Sequence, residues 1–219
     1  MTTKSVSTVA LERVEFAPPR SDERVAIVGK TGSGKTQLGV WLLSISNFDQ
    51  QPWIIIDYKR DRLLNSINGV KPMSVHAAVP SDPGLYIVHL DPGDSDAINT
   101  LLRKISARED CGIYIDESYE VPDSNDFRRI LTQGRSKNIP AICLTQRPVF
   151  VPRFVFTECE HLVLFRLKHV KDRQKVREYI PDELTVDLSA RLPDYHSRWY
   201  SDKLEHIFHL GPVPDAQTL

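Results

Sequence analysis

Eight consecutive residues, Gly29-Lys-Thr-Gly-Ser-Gly-Lys-Thr36, constrain the fold of this chain more than any other stretch. They follow an apolar, β-branched run at 25–28 and precede a segment at 35–46 that has the composition of a helix. The eight residues match the pattern G-x-x-x-x-G-K-[S/T] at every fixed position, in the strand-loop-helix context that the pattern requires. We therefore predict a phosphate-binding loop (P-loop) inside an α/β domain.

The residue types of this loop predict that it holds a nucleoside triphosphate together with Mg²⁺. Glycine has no Cβ, so backbone N–H groups can turn toward the phosphates, and the N-terminus of the following helix adds partial positive charge. Lys35 is expected to reach the terminal phosphates, and the Thr36 hydroxyl is expected to hold the metal ion. The predicted nucleotide-binding residues are Gly29, Lys30, Thr31, Gly32, Ser33, Gly34, Lys35 and Thr36.

Strand-like runs and helix-like segments alternate along most of the chain. Apolar runs without strict alternation, separated by helices of crossover length, indicate a mainly parallel sheet that is covered by helices on both faces. The predicted strands are 25–28, 53–57, 85–90, 112–116, 141–145 and 161–167, and the predicted helices are 35–46, 95–107, 124–136 and 171–180.

We expect a single P-loop ATPase domain at 24–219, preceded by an N-terminal arm at 1–23. The arm is rich in polar residues and proline, and a short strand is expected at 7–16. Near the C-terminus, two short runs flank a polar turn, which predicts a β-hairpin at 197–210 on the sheet edge.

Composition and charge limit the classes of function. Apolar residues make up 41% of the 219, and no apolar run approaches the roughly 20 residues of a membrane span, so we expect a cytoplasmic globular protein. The net charge of −1 predicts no overall attraction to nucleic acid. Between Arg128 and Arg177, however, twelve basic residues stand against three acidic ones. This bias predicts either a face for a polyanion or an acidic neighbour, or an ordinary solvated basic face.

Acidic and amide side chains at the ends of two later strands predict a hydrolytic apparatus. The run Cys111-Gly-Ile-Tyr-Ile ends in Asp116 and Glu117. Asp116 is expected to organise the magnesium shell and Glu117 to polarise the attacking water. The strand at 141–145 ends in Gln146, whose amide is expected either to contact the γ-phosphate and the water or only to cap the strand.

Two further runs resemble elements of the FtsK/HerA superfamily of DNA-pumping ATPases. One is Gly134-Arg-Ser-Lys-Asn-Ile-Pro-Ala-Ile-Cys-Leu-Thr-Gln-Arg-Pro148, where an arginine-containing turn leads into a strand closed by Thr-Gln-Arg-Pro. The other is Ile54-Ile-Ile-Asp-Tyr-Lys-Arg60, which looks like the superfamily's second strand and its Asp-x-Lys-Arg ending. Lys59 and Arg60 are expected either to sense the nucleotide or to favour the start of the next helix.

Within this superfamily, the chain resembles the small single-domain members, the genome-packaging ATPases of tailless, membrane-containing viruses and phages. The resemblance implies a homo-oligomeric ring of six subunits that hydrolyses ATP and drives double-stranded DNA of any sequence through a central channel. It also implies the host cytoplasm or a capsid vertex as the place of action. The chain departs from the large cellular translocases, because it contains no membrane span and no DNA-reading winged helix.

In such a ring, an arginine of one subunit is expected to act at the nucleotide of its neighbour. Arg135 is the first candidate, from its position in the matching turn, and Arg147 is the second. The resemblance places DNA phosphate contacts in loops, and the candidate segments are 119–125 and 147–153.

Three alternatives remain open at this stage. A cellular or plasmid-borne translocase of the same superfamily would carry the same motifs. A small-molecule kinase also combines a P-loop with a compact α/β domain, although it needs an arginine-bearing lid that excludes water. A non-catalytic assembly protein would use the nucleotide only to order an interface.

Overall fold

A computed structural model describes residues 14–184 and 187–214 of the chain. Its nine strands are β1 (Arg24–Val28), β2 (Pro52–Asp57), β3 (Lys71–Pro72), β4 (Gly84–His89), β5 (Gly112–Ile115), β6 (Ala141–Thr145), β7 (His161–Leu164), β8 (Ser197–Ser201) and β9 (His206–Leu210). They form one sheet in the order β3-β4-β2-β5-β6-β1-β7-β8-β9. Strands β1 to β7 are parallel, and β8 and β9 are antiparallel additions at one edge. The predicted mainly parallel sheet and the C-terminal hairpin are confirmed.

Six α-helices lie in the described residues: α1 (Lys35–Ser44), α2 (Arg62–Asn65), α3 (Ser95–Arg108), α4 (Asn125–Gln133), α5 (Arg153–Thr157) and α6 (Val170–Arg177). Three short 3₁₀ turns lie at Ser118–Glu120, Arg135–Lys137 and Pro148–Phe150. Within 14–184 and 187–214, no helix is long and apolar enough to cross a membrane.

The helices cover both faces of the sheet, as predicted. Alternate residues of β2 point into separate hydrophobic layers: Ile54 and Ile56 belong to the layer that includes Leu101 of α3, whereas Ile55 belongs to the layer that includes Leu42 of α1. Burial of an isoleucine or leucine side chain stabilises a fold by about 1.5–3 kcal/mol. A strand that is buried on both faces therefore has no polar alternation, which is what the sequence of β2 shows.

Helix α1 approaches the sheet closely because Gly39 has no side chain. A Cβ added at Gly39 would lie 2.7 Å from the hydroxyl of Tyr114, which projects from β5 and is fully buried. Glycine inside a helix costs roughly 1 kcal/mol relative to alanine. Here it makes room for the tyrosine ring, which fixes how α1, and the P-loop before it, sit on the sheet.

The hairpin closes one edge of the sheet and contacts the segment that precedes β1. Trp199 of β8 is fully buried, and its ring packs edge-on against Phe16 at a centroid distance of 5.3 Å. The expected strand at 7–16 lies largely outside the described residues. Residues 14–16, which are described, have no regular secondary structure, so the prediction is wrong for those three.

The other differences from the predicted elements are short. Strand β7 ends at Leu164 instead of residue 167, because its antiparallel pairing with β8 ends there and the chain turns toward the P-loop. The predicted helix at 124–136 is α4 followed by a separate 3₁₀ turn at Arg135–Lys137. Three elements were not predicted, α2, α5 and β3, and all are five residues or shorter.

The strand order determines which loops meet at the carboxyl edge of the sheet. Strand β6 lies between β1 and β5, and β2 is the next neighbour of β5. The loops that follow these four strands carry Lys59, the Asp116-Glu117 pair, Gln146 and the P-loop, in that spatial order. Residues that are far apart in sequence therefore meet at the edge where parallel α/β sheets bind their ligands.

Candidate nucleotide-binding and catalytic site

The P-loop is held in place by the strands on both sides of β1. The N–H of Gly29 donates to the carbonyl of Thr145 at 3.1 Å, at the end of β6. The N–H of Lys30 donates to the carbonyl of Arg166 at 3.2 Å, just after β7. A Cβ at Gly29 would lie 2.6 Å from the Cβ of Phe165, so the loop fits only with glycine there. These contacts fix the position of the loop.

The N-terminus of α1 differs from those of α3 and α4. Its N-cap, Gly34, has a left-handed backbone (φ 100°), offers no side-chain acceptor, and precedes a first turn that has no acidic residue. In contrast, the side chains of Asp94 and Ser124 cap α3 and α4 by accepting backbone N–H bonds. Uncapped N–H groups and the helix dipole together favour an anion. The first turn of α1 is therefore suited to a phosphate group.

Lys35 lies inside this turn with 6% of its surface exposed. Its Nζ donates to the carbonyl of Lys30 at 3.2 Å, so the side chain curls over the loop. The pKa of Lys35 is lowered to about 8, mainly by burial and also by the positive charge of Lys59, with the charge of Asp116 opposing the change. A desolvated ammonium beside another cation is strongly attracted to an incoming anion.

Asp116 and Glu117 follow β5 and are both buried. The pKa of Asp116 is raised to about 6, mainly by burial. Lys59 and Lys35 oppose the rise, and Asp57 and Asp61 add to it. One carboxylate oxygen of Asp116, Oδ2, accepts no hydrogen bond from the described residues. A buried carboxylate oxygen without a partner fits a cation ligand, and hard oxygen donors are those that Mg²⁺ prefers.

Glu117 has an unusual backbone and two side-chain contacts. Its φ is 63°, in the left-handed region that non-glycine residues rarely adopt, and such strain is concentrated at functional sites. Lys59 forms an ion pair with its Oε1. The backbone N–H of Gln146 donates to its Oε2 at 3.3 Å. The pairing with Lys59 was not predicted from the sequence, because it depends on β2 and β5 being neighbours.

Gln146 connects the acidic pair to the P-loop. Its side-chain carbonyl accepts a hydrogen bond from the hydroxyl of Thr31, and its amide donates to the hydroxyl of Tyr119 at 3.4 Å. The guanidinium of Arg147 lies over the ring of Tyr119, 5.8 Å from its centroid. The amide therefore contacts the loop directly and does more than cap its own strand. Tyr119 was expected only as part of a loop, and its contact with Gln146 was not foreseen.

The two arginine candidates lie at opposite ends of the sheet. Arg147 follows β6 at the P-loop edge, whereas exposed Arg135 precedes β6 in a 3₁₀ turn at the amino edge. A five-residue strand spans roughly 13–17 Å, which exceeds the reach of one arginine side chain. Arg135 therefore does not reach the P-loop of its own chain. Arg147, in contrast, lies beside that P-loop.

Two cavities flank the P-loop. A cleft of about 760 Å³ lies on the Gln146 side, between the Pro148–Phe150 turn and the start of α6, and its walls include Lys30, Arg147, Lys168 and Lys171. A smaller cavity of about 370 Å³ lies on the α1 side. Its walls are mostly apolar and include Leu38, Phe165, Tyr195, Pro212 and Val213. Lys30, Thr31, Gln146 and Arg147 of the larger cleft, and Gly34 of the smaller cavity, were predicted as site residues. The other walls, among them Lys168 and Tyr195, were not predicted, because they come from distant parts of the sequence.

The chain is similar in sequence to a known packaging ATPase and similar in fold to several solved structures. No protein-family model matches the chain. The chain is 38% identical over 209 residues to the DNA packaging ATPase P9 of Enterobacteria phage PRD1, covering 92% of each chain.

Solved structures share the fold at low sequence identity. The genome packaging NTPase B204 of Sulfolobus turreted icosahedral virus 2, in complex with sulfate, superposes with a TM-score of 0.72 at 19% identity, covering 90% of this chain and 100% of that one. The same protein in complex with AMPPCP gives a TM-score of 0.71 at 19% identity, covering 89% of this chain and all of that one. VirB4 of Thermoanaerobacter pseudethanolicus gives 0.67 at 11% identity, covering 87% of this chain and 89% of that one.

Proposed function

This chain belongs to the family of viral DNA-packaging ATPases that includes P9 of phage PRD1, and from that premise we propose that it hydrolyses ATP to drive double-stranded DNA into a capsid. One observation carries the proposal. The P-loop, the following helix without a side-chain N-cap, the buried acidic pair and Gln146 all lie at the same edge of the sheet. Family membership disfavours a small-molecule kinase. A buried glutamate near the P-loop disfavours a non-catalytic assembly protein, because such a protein has no need to activate a water molecule.

The residues present fit a magnesium ion. We propose that the hydroxyl of Thr36 and the unpartnered Oδ2 of Asp116 hold it. When bound by these residues, Mg²⁺ would supply positive charge that neutralises the charge developing during phosphoryl transfer. The raised pKa of Asp116 agrees with a carboxylate that is buried for a cation to bind.

The protein's own groups then divide the chemistry. Lys35 and the N–H groups of the P-loop bind the β- and γ-phosphates and hold them in line with a water molecule. Glu117 accepts a proton from that water while the water oxygen bonds to the γ-phosphorus. The bond from the γ-phosphorus to the bridging oxygen breaks at the same time and releases ADP. Gln146, held by Thr31 and Tyr119, orients the water and the γ-phosphate.

The smaller cavity is suited to the base of the nucleotide. It lies beside Gly34 and Gln37, at the end of the P-loop away from Glu117, and its walls are largely apolar. The side-chain amide of Gln37 donates to the carbonyl of Pro214 at 2.8 Å, so it is already paired and does not serve as the contact to the base. We propose that the base stacks on exposed Tyr195, which contacts the P-loop at Gly34.

Loss of this stacking has a measurable consequence. Tyr195→Ala is expected to weaken ATP binding by about 5- to 100-fold, because stacking of a base on an aromatic ring contributes roughly 1–3 kcal/mol. Inorganic tripolyphosphate, which has no base, should bind equally to both proteins. Calorimetric titration of the two ligands measures both. Equal ATP affinity in the variant would refute the assignment of the base site.

The position of Arg135 supports a head-to-tail ring, with six subunits as the expected number. Because Arg135 lies at the edge opposite its own P-loop, only a neighbouring copy can receive it at a nucleotide. In well-studied NTPases such an arginine raises turnover by about 10³- to 10⁵-fold. Arg147, which lies over Tyr119 at the P-loop edge, is then a residue of the same subunit's site.

The large cleft supplies the basic surface for DNA. Its walls carry four cations, Lys30, Arg147, Lys168 and Lys171, and the exposed residues Val149 and Phe150. Three residues of the predicted segment 147–153 line this cleft, which supports the choice of that segment. A packaging motor must accept any sequence, so its contacts should be to phosphates. The segment 119–125 remains a second candidate, and a capsid vertex remains a further expected partner.

A DNA-stimulated ATPase assay tests the proposal. Duplex DNA should raise the ATPase rate, and the stimulation should fall steeply between 50 and 200 mM salt, because counterions compete for phosphate contacts. Glu117→Gln should lower the stimulated rate by about 10²- to 10⁴-fold with ATP binding retained, and EDTA should abolish it. Lys168→Ala with Lys171→Ala should reduce stimulation but not the basal rate. An ATPase rate that does not change when duplex DNA is added, at either salt concentration, would overturn the proposal.

A further inference from the structure

Residues 134–138, called the Arg135 turn below, lead from α4 toward β6 at the amino edge of the sheet. Arg135 is exposed, and its side chain makes no hydrogen bond or ion pair with any residue in the described ranges 14–184 and 187–214. Arg24, a second arginine at the same edge, is 6% exposed and pairs with Glu160 at 2.6 Å. Arg24 is therefore used inside its own subunit, whereas the guanidinium of Arg135 is available to another molecule.

Lys137 ties the Arg135 turn to the end of α3. Its ammonium pairs with Oε1 of Glu109 at 2.6 Å and donates to the carbonyl of Ser106 at 3.2 Å. Ser106 lies in the last turn of α3, where carbonyl groups lack partners within the helix and the helix dipole favours a cation. The lysine therefore sets the distance between the turn and this helix.

Asn138 ties the same turn to two further segments. Its side-chain amide donates to Oε1 of Gln51 and to Oδ1 of Asp110, each at 2.9 Å. The backbone N–H of Asp110 donates in return to the carbonyl of Lys137 at 3.0 Å. Gln51 is 4% exposed and directly precedes β2, so this anchor belongs to the buried part of the protein. The Arg135 turn is thus held by α3, by the segment after α3 and by the start of β2.

The backbone around these contacts is strained. Seven non-glycine residues in the described part of the chain have a positive φ, and three of them meet here: Glu109 (58°), Asp110 (36°) and Asn138 (52°). Two of the other four, Glu117 and Tyr195, lie at the proposed nucleotide site. Such conformations persist only where surrounding contacts hold them, and they are concentrated at functional sites. The strain therefore agrees with a functional reason for fixing the Arg135 turn.

We propose that Lys137 and Asn138 are positioning residues, which hold the Arg135 turn so that its guanidinium enters the nucleotide site of a second copy of this chain. The inference rests on the proposed ring and adds to it the groups that orient the shared arginine. A rigid turn limits the conformational freedom that is lost on docking to the arginine side chain itself. Misplacement by about 1 Å, caused far from the reacting atoms, lowers a rate by about 100-fold.

Two variants of the turn test this assignment. Lys137→Met and Asn138→Gly should each lower the DNA-stimulated ATPase rate by about 10- to 100-fold. Glycine is used at 138 because it adopts a left-handed backbone freely and removes only the side-chain contacts. Affinity for AMPPCP should change less than about threefold, because the P-loop of the same subunit lies at the other edge of the sheet. Lys137→Arg should keep most of the rate, since arginine can make both contacts.

Lys104→Met is the matched control. Lys104 also extends from α3 and donates to backbone carbonyls, those of His76 at 2.7 Å and Ala77 at 2.9 Å, but it does not contact the Arg135 turn. Lys104→Met should therefore keep the wild-type ATPase rate. An equal loss of rate in Lys104→Met and Lys137→Met would mean that Lys137 only stabilises the fold, which overturns the proposal.

Mixtures of variants show which side of the contact is damaged. With an equal amount of Glu117→Gln, whose Arg135 turn is intact, Lys137→Met should exceed the mean of the two separate rates by at least about fivefold, because about a quarter of the contacts pair an intact site with a well-placed arginine. With Arg135→Ala it should stay at the mean. A rate at the mean in both mixtures would overturn the proposal.

The same measurements separate this inference from the proposed ring. If Arg135→Ala turns over ATP at the wild-type rate, the ring with a shared arginine is refuted, and the positioning role is refuted with it. If Arg135→Ala loses its rate while Lys137→Met and Asn138→Gly keep theirs, only the positioning role is refuted.

Discussion

At the scale of residues, the catalytic centre holds charges that the protein alone does not balance. Lys35 is buried near a second lysine, and its pKa falls to about 8. Asp116 is buried near other carboxylates, and its pKa rises to about 6. Each shift means that folding disfavours the charged form of the group. In the proposed function, the nucleotide and its metal ion would supply the opposite charges. Without them, the two buried charges lower the free energy of unfolding.

Replacement of Lys35 should therefore stabilise the nucleotide-free protein. Lys35→Met is expected to raise the free energy of unfolding at pH 7 by about 1–3 kcal/mol, since one pKa unit corresponds to about 1.4 kcal/mol. Between pH 8 and 10.5 the unfolded chain holds this proton more often than the folded protein, so the wild type gains stability with rising pH and the variant lacks that gain. Urea denaturation measures both. Exposed Lys30→Met is the control, and a destabilised Lys35→Met would contradict the account.

At the scale of elements, the P-loop depends on how α1 packs against β5. Gly39 allows this packing, because an added Cβ would lie 2.7 Å from the ring and hydroxyl of Tyr114. The tyrosine hydroxyl itself is buried without a hydrogen-bond partner among the described residues, so it contributes volume and no hydrogen bond. The position of the phosphate-binding turn is thus set by a side chain from the strand that carries the acidic pair.

Gly39→Ala should lower the free energy of unfolding by about 1–3 kcal/mol, as overpacking does in a close-packed interior. Tyr114→Phe removes the hydroxyl that the new methyl group meets, so the double variant should recover part of the loss. Tyr114→Phe alone should be neutral or slightly stabilising. Denaturant titration of the three variants measures this. Additive effects in the double variant would mean that the two residues are not in contact.

The elements near the P-loop were predictable because their signals are local. The loop pattern, the strand before it and the helix after it occupy consecutive residues, and the acid pair ends an apolar strand. The Lys59–Glu117 and Tyr119–Gln146 contacts and the cavity at Tyr195 depend instead on the order of strands in the sheet. Sequence spacing does not contain that order, so these contacts emerged only from the structure. Elements as short as α2, α5 and β3 carry too few residues for a periodic pattern.

At the scale of the whole molecule, the two ends of the sheet have different roles. The carboxyl edge carries the P-loop and the basic cleft, while the amino edge presents Arg135. In the proposed ring, a single repeated head-to-tail contact brings these edges together. Of the basic run at 128–177, Arg147, Lys168 and Lys171 line the cleft, and Arg135 and Lys137 precede β6 at the amino edge. The outer surface can stay acidic, which agrees with a net charge of −1.

The central claim is that ATP is hydrolysed between two copies of the chain. Mixing two inactive variants tests it directly: Arg135→Ala keeps a complete P-loop site, and Glu117→Gln keeps the arginine. In an equal mixture about a quarter of the contacts pair an intact site with an intact arginine. The DNA-stimulated ATPase rate of the mixture should therefore rise at least about tenfold above the mean of the separate rates, given the size of arginine effects. A mixture that stays at that mean, or Arg135→Ala that turns over ATP at the wild-type rate, would contradict the account.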